Sequence, residues 1–375
     1  MRNSGRSLTI PPERDQVEVS IFGPGIGECI VLHLGDNNWA IIDSCKDKET
    51  GTPVAIRYLK DLQVDLSSSV KIFVVTHWDD DHVRGASEIL EMCFNARFCC
   101  SSALLSEEFF QLVRVYSEKS LMISSGTDEF ARIIQMLMDR AGGTRKQSAG
   151  PVWAKAETVL LEMDKEDHRF NVKMRALSPS DGAFTLALNE IAQLMPKENV
   201  PRRRAVAQKA NHVSVALWVT VGESHILLGA DLENHPNKDV GWKAVVLKHN
   251  PKERATIIKV PHHGSRDAYA SEMWQIMAVP DPIALLTPFA SGLQPLPSES
   301  DVKRIQKHTS RIYCTGRGLG WHPLKRNSSV ERTIRETVRS HRRVSGPMGH
   351  VRVRFFPENK PPSPTVETFN DALIL

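Results

Sequence analysis

Long hydrophobic runs are missing from this sequence. Across 375 residues no apolar stretch approaches the roughly 18 residues that a membrane-spanning helix needs, so a membrane protein is not expected. The first residues, MRNSGRSLTIPPERDQ, lack the apolar segment of a secretory signal, which makes the cytoplasm the expected compartment. Cysteine is sparse. The six residues at 29, 45, 93, 99, 100 and 314 show no CxxC spacing and no disulfide-like framework, and they read as reduced thiols. Charge of one sign is also lacking: a formal net charge of +4 does not by itself define a nucleic-acid partner. No internal repeat recurs at a fixed period. What remains is an ordinary globular composition, 41% hydrophobic and 25% charged, long enough for one large domain or two smaller ones.

The pattern along the chain alternates between strand and helix signals. Val17–Phe22, Cys29–Leu34 and Trp39–Ile42 read as a β-meander whose first strand runs into the glycine turn GPGIGE. Apolar spacing predicts a helix over Pro53–Leu62, a buried strand over Val70–Val75 and a helix over Ala86–Met92. Residues ~103–150 carry two amphipathic helical patterns and read as a helical insertion. Strands resume over 158–161 and 171–177. A helix is expected over about 185–194, a hairpin over 213–228 around Gly222-Glu223, and a helix over 242–248. Further strands are expected at 257–260, 284–287 and 311–314, with a helix at 301–308. This order predicts an α/β (α+β) architecture: an αββα sandwich spanning 1–356, with residues 357–375 as a mobile C-terminal tail. Arginine is unevenly spread, with Arg202, Arg203 and Arg204 together and an arginine-rich stretch over Arg332–Arg354. Such clusters could meet phosphates, though solvated surface is the commoner use.

Four clusters carry chemistry. In VVTHWDDDHVRGA, His77, Asp79, Asp81 and His82 follow directly on an apolar strand. Five histidines and aspartates within six residues repel one another unless cations neutralise them, and imidazole with carboxylate is the donor set of divalent transition metals. An exposed acidic loop is the plain alternative, disfavoured by the flanking strand and Gly85. In HILLGADLE, Asp231 ends a strand, where a carboxylate could bridge two ions or simply cap a turn. In IIKVPHHGS, two adjacent histidines follow another strand. One of His262 and His263 could be a ligand and the other a proton donor or phosphate contact. In NHVS, Asn211, His212 and Ser214 could contact substrate, orient a ligand or merely cap a strand. Trp78 is expected to pack against the site wall, and His33, His168, His225, His235 and His249 read as ordinary core or surface residues. Three strand-to-ligand transitions in one chain favour the metal reading.

These stretches resemble the metallo-β-lactamase superfamily over roughly Val17–Gly320. THWDDDHVRGA resembles its HxHxDH signature, with Asp79 in place of a histidine. That variant is found in the hydrolase domain of ComEC-type DNA-uptake proteins and their stand-alone relatives. FGPGIGECIVLH, WAIIDSC with Asp43, NHVSVALWV, LLGADLE and KVPHHGS resemble the same branch. The resemblance implies that His77 and Asp79 bind one metal and Asp81 and His82 a second. It further implies that Asp231 bridges, His262 completes the site, and His263 and Ser265 face the substrate. Asp43 would be a supporting residue, Asp81 would orient the nucleophile, and His263 would serve the leaving group. Asp80, Arg84, Cys45 and the stretch Gln294–Pro297, which has no histidine, depart from the usual pattern. The implied function is a two-metal phosphodiesterase or nuclease using Mn²⁺ or Zn²⁺ on nucleic acid, DNA rather than RNA, in DNA processing or defence against foreign DNA. The competing expectations are hydrolysis of a cyclic nucleotide, lactone or thioester, and a non-catalytic binding module. The insertion is a candidate dock for a protein partner or a second copy of the chain.

Overall fold

The computed structural model describes residues 8–23, 27–105, 126–142, 151–194, 210–249, 251–289, 295–316, 348–359 and 363–375. Among them, sixteen strands form two eight-stranded sheets. The first sheet contains β1 (Val17–Gly23), β2 (Cys29–His33), β3 (Trp39–Ile42), β4 (Val70–Val75), β5 (Arg97–Ser101) and β6 (Val152–Ala154). It also takes in β14 (Gly349–Phe355) and β15 (Thr365–Phe369), in the order β15-β14-β1-β2-β3-β4-β5-β6. The second sheet contains β7 (Val159–Met163), β8 (Val172–Ala176), β9 (Leu217–Val221), β10 (Ser224–Leu228), β11 (Ala255–Lys259), β12 (Ala278–Leu286), β13 (Ile312–Cys314) and β16 (Leu373–Ile374). Its order is β16-β13-β12-β11-β10-β9-β8-β7. Both sheets are mixed: the meander pairs antiparallel and then gives way to parallel β3-β4-β5-β6, and β10-β11-β12-β13 are likewise parallel.

Helices α1 (Val54–Asp61), α2 (Leu66–Ser69), α3 (Asp80–Val83), α4 (Ala86–Met92) and α5 (Gly126–Gly142) follow in chain order. After them come α6 (Asp181–Leu194), α7 (Gly241–Lys248), α8 (Ser271–Met277) and α9 (Glu299–Ile305). Three main cores result. Ile30, Leu32, Met174, Val219, Ile226 and Leu285 fill the space between the sheets. Phe73, Leu59, Ile89, Phe130 and Ile133 pack α1, α4 and α5 on the outside of the first sheet. Trp242, Met273, Ile258 and Leu286 pack α7 and α8 on the outside of the second. Strands buried on both faces read as near-continuous apolar runs, as IFVV of β4 does after the half-buried Lys71. The expected αββα sandwich is therefore present. No helix among the described residues is long and apolar enough to cross a membrane, and all six cysteines are buried free thiols.

Some expectations fail. The segment after 357, expected as a mobile end, supplies β15 to the first sheet and β16 to the second, so the sandwich runs to residue 374. The arginine-rich HVRVRF is β14: Val351, Val353 and Phe355 face the core, while Arg352 and Arg354 pair with Glu367 and Glu18. Strand alternation, not phosphate binding, explains those two arginines. Residues 210–213 form a helical turn, so the strand expected from Val213 begins at Leu217. Of the insertion, α5 is described and its first amphipathic pattern lies outside the described residues, as do Arg202–Arg204 and Gln294.

Candidate metal centre

The ends of β3, β4, β10, β11 and β12 meet at one rim of the sandwich, and the backbone there is unusual. Asp43, Ala230, His262 and His263 all hold positive φ, of 60°, 45°, 43° and 53°. Each such non-glycine residue costs about 1–3 kcal/mol, a strain that persists only where the surroundings impose it. Gly229 is required beside Ala230, since a Cβ there would lie 2.6 Å from the Pro261 ring. Two consecutive left-handed residues let the adjacent histidines diverge. His263 turns inward and is 1% exposed, while the side chain of His262 stays 21% exposed.

Each ligand is held from behind. The Asp43 carboxylate accepts bonds from the Thr76 amide at 2.7 Å and the Thr76 hydroxyl at 2.8 Å, and it lies 2.8 Å from His82 Nδ1. An ionised carboxylate can only accept, so His82 carries its proton on Nδ1 and presents Nε2 to the centre. His77 Nδ1 sits 2.9 Å from the Thr76 hydroxyl and 3.1 Å from that of Ser214, again leaving Nε2 forward. His263 Nδ1 is 3.1 Å from the Thr287 carbonyl and 2.9 Å from its hydroxyl. The forward Nε2 atoms of His77, His82 and His263 are all buried without a hydrogen-bond partner.

They face carboxylates. His82 Nε2 lies 3.5 Å from Asp81 and 3.4 Å from Asp231; His263 Nε2 lies 3.5 Å from Asp81 and 3.6 Å from Asp231. These separations are too long for good hydrogen bonds. They are what two donors each about 2.1 Å from a tetrahedral ion would show, namely about 3.4 Å. The four ligand atoms lie within 4.8 Å of one another. His77 and Asp79 form a shorter set alongside, with Nε2 to Oδ2 at 3.7 Å. The other described group at such spacing, Glu28, Asp43 and His82, is already bonded internally.

The charges at the centre act strongly on one another. Burial alone would lower the basicity of His82, but Asp231, Asp81 and Asp43 override it and hold the ring well above its ordinary value. A proton or a metal must sit at Nε2. Burial and the neighbouring Asp81 push Asp79 up to about 7. Burial and His82 push His77 down to about 3, leaving it a neutral donor. Burial opposes ionisation of Asp81 and Asp231, yet His82 and His263 keep both carboxyls below the usual range. The only described lysine at the centre, Lys259, is fully buried and reaches Glu28 at 2.8 Å, the Ala230 carbonyl at 2.8 Å and Asp231 at 3.4 Å.

The structure thus brings His77, Asp79, Asp81, His82 and Asp231 together, with Asp43 behind them. It places the histidine pair differently from the expectation. His263 joins the ligand cluster, whereas His262 Nε2 stands 3.9 Å from Asp231 and its Nδ1 faces Glu233 at 3.0 Å and the Ser265 hydroxyl at 3.0 Å. Ser214, expected at the substrate, is buried behind the ligands, accepting the Asp231 amide at 3.2 Å. His212 turns away towards Glu190 of α6, at 3.4 Å. Asn211 stays on the rim, donating to Glu233 at 2.8 Å with its Oδ1 unpartnered. Trp78 packs half-buried against the helices outside the first sheet. Glu28, Thr76, Glu233, Lys259 and Thr287 were not singled out by sequence reasoning. Lys259 had a signal, being the one charge inside the strand that leads to the histidine pair.

No protein-family model matches the sequence, and no curated protein does. Solved structures similar in backbone include a metallo-beta-lactamase from Cronobacter sakazakii, an HARLDQ motif mutant. It is 9% identical at a TM-score of 0.35, covering 64% of this chain and 75% of that one. The metallo-beta-lactamase SMB-1 bound to 2-mercaptoethanesulfonate is 12% identical at a TM-score of 0.32, covering 68% and 82%. An archaeal metallo-beta-lactamase superfamily protein from Sulfolobus tokodaii is 13% identical at 0.28, covering 60% and 67%. These likenesses are partial, and the residue roles rest on the geometry above.

Proposed function

We propose that the chain is a metal-dependent hydrolase of the metallo-β-lactamase superfamily that cuts phosphodiester bonds in nucleic acid, DNA rather than RNA, in the cytoplasm. The observation that carries the hydrolase reading is the convergence of three unpartnered buried imidazole nitrogens on the carboxylates of Asp79, Asp81 and Asp231. Asp81, His82, Asp231 and His263 would hold one divalent ion, and His77 and Asp79 would help to hold a second. The mixed oxygen and nitrogen donors suit Mn²⁺ or Zn²⁺. Such ions would make water a nucleophile near neutral pH by drawing its pKa far down, towards about 7. Asp43, Thr76, Ser214 and Thr287 fix which imidazole nitrogen faces forward. Lys259 offsets part of the carboxylate charge. His262, braced by Glu233 and bordered by Asn211 and Ser265, is the partly exposed group best placed to meet the leaving group. Phosphodiester chemistry rests on the resemblance of HxDxDH and KVPHHGS to the DNA-uptake branch.

The test is cleavage of single- and double-stranded DNA with Mn²⁺ or Zn²⁺, beside a bis-aryl phosphodiester and a lactone, for wild type, Asp81→Ala and His263→Ala. DNA and the diester should be cut, and both variants should be inactive. A metal-loaded protein that opens only the lactone would replace the nuclease reading with a small-ester one. A chain that holds no metal would leave a binding module.

A further inference from the structure

The insertion between β5 and β6 has no role in the chemistry above, yet one of its side chains reaches the ligand loop. Asp81 and His82 lie in α3, and the chain then turns through Arg84 and Gly85 into α4. Three main-chain anchors tie this turn to the first sheet's loops. The Glu28 amide donates to the Asp81 carbonyl at 2.9 Å and the Ser44 amide to the His82 carbonyl at 2.7 Å; the Ser44 hydroxyl donates to the Arg84 carbonyl at 2.7 Å. The far end of the turn is held differently. Gly85 has φ of 83°, and a Cβ there would strike Lys46 and Pro53, so the turn admits little else. Its amide and the next free amides at the start of α4 need acceptors. Glu129 of α5 supplies them. One carboxylate oxygen accepts from Gly85 N at 3.3 Å; the other accepts from Ser87 N at 3.2 Å and from the Ser87 hydroxyl at 2.7 Å. The Glu129 side chain is 5% exposed, and Phe130 and Ile133 beside it belong to the core against α4. At the opposite end of α4, Arg140 donates to the Leu90 carbonyl at 2.6 Å and lies over the Phe94 ring. The helix is thus gripped at both ends, but only the Glu129 grip borders the ligands.

We infer that Glu129 is a positioning residue for the metal centre: α5 is a strap whose Glu129 carboxylate fixes the turn carrying Asp81 and His82. The inference rests on the metal-site reading. A carboxylate in a dry setting holding three donors leaves them unsatisfied when removed, and the turn relaxes where the ligands need fixed geometry. Supports behind ligands typically change metal affinity by about 10–100-fold when lost.

The experiment titrates the full chain with Co²⁺, following the visible absorption of the bound ion and its affinity, for wild type, Glu129→Ala, Glu129→Gln and Arg140→Ala, with thermal unfolding in parallel. Glu129→Ala should bind about tenfold more weakly with an altered spectrum. Glu129→Gln, which keeps one acceptor and the side-chain shape, should fall between. Arg140→Ala should unfold earlier yet keep the wild-type spectrum and affinity. Wild-type binding in both Glu129 variants would overturn the inference, as would an equal loss in Arg140→Ala, which would make the effect one of helix docking in general. If Glu129→Ala does not fold, Glu129→Gln against Arg140→Ala decides. Wild type with no Co²⁺ absorption would instead remove the metal-site reading, and the inference with it.

Discussion

Among the described residues, two buried clusters of charged and polar side chains are opposites. One lies where β1 meets β14. Glu18 accepts from Ser20 at 2.7 Å, Tyr58 at 2.6 Å and Arg354 at 2.7 Å, while Arg352 pairs with Glu367 at 2.7 Å. Two carboxylates meet two guanidinium groups, and His350 stacks between Phe22 and Phe369, bonded to Ser20 through Nε2. Burial, and then the two arginines, push its basicity far down, so it stays neutral. The other cluster is the candidate metal centre, where Glu28, Asp43, Asp79, Asp81 and Asp231 face one lysine and three imidazole nitrogens have nothing to bond. Buried charge is common to both. What separates them is charge balance: in the first two guanidinium groups offset two carboxylates, although His350 Nδ1 also lacks a hydrogen-bond partner, and in the second five carboxylates face a single lysine.

The comparison breaks most visibly through ligand loss. His263→Ala or Asp231→Ala should lose metal by more than about 100-fold in affinity, beyond what loss of a supporting residue causes, and lose hydrolysis with it; a competition titration measures this. Asp43→Asn, whose remaining oxygen can keep the Thr76 amide bond while an NH2 donor replaces the oxygen facing His82 Nδ1, should weaken metal binding by about 10–100-fold while the ligands remain. His350→Ala should leave metal affinity unchanged and cost about 2–4 kcal/mol of stability, because a stacked buried ring is deleted from a balanced cluster; denaturant unfolding reads this.

The pH response of the balanced cluster sharpens the contrast. His350 is neutral when folded and titrates near about 6.5 when unfolded. The unfolded chain therefore binds the extra proton first as pH falls. The stability His350 contributes is whole above about pH 6.5 and declines below it towards the lowered folded value. A His350→Phe variant should show a shallower loss of stability than wild type between about pH 6.5 and 5. At the small end, Lys173→Ala, which removes a 2.7 Å pair with Glu162 on the exposed surface, should change stability by less than about 1 kcal/mol.

Most of the sandwich was legible because its strands are apolar on both faces and its helices are periodic. The first misreading came from β14: in HVRVRF the arginines caught the eye and the period of two did not. The last strands were missed because PENKPPSPT, which joins β14 to its antiparallel neighbour β15, reads as a loop, and the pairing of β16 with distant β13 leaves no local mark. At the centre, the candidate ligands stand out in the sequence as crowded histidines and aspartates behind strands. The division of labour between His262 and His263 did not, since it depends on two consecutive left-handed residues that neither side chain encodes. Glu28, Thr287 and Glu129 act across 259 residues of chain or from an insertion, and no spacing rule brings them together.

The central claim is that the carboxylate-rich cluster holds divalent metal. The most direct measurement is metal bound per chain after equilibrium dialysis against Mn²⁺ or Zn²⁺, for wild type beside His263→Ala and His350→Ala. The account predicts bound metal in wild type and His350→Ala and loss of it in His263→Ala. A folded wild-type chain that holds none, or a His263→Ala chain that holds as much, would contradict it.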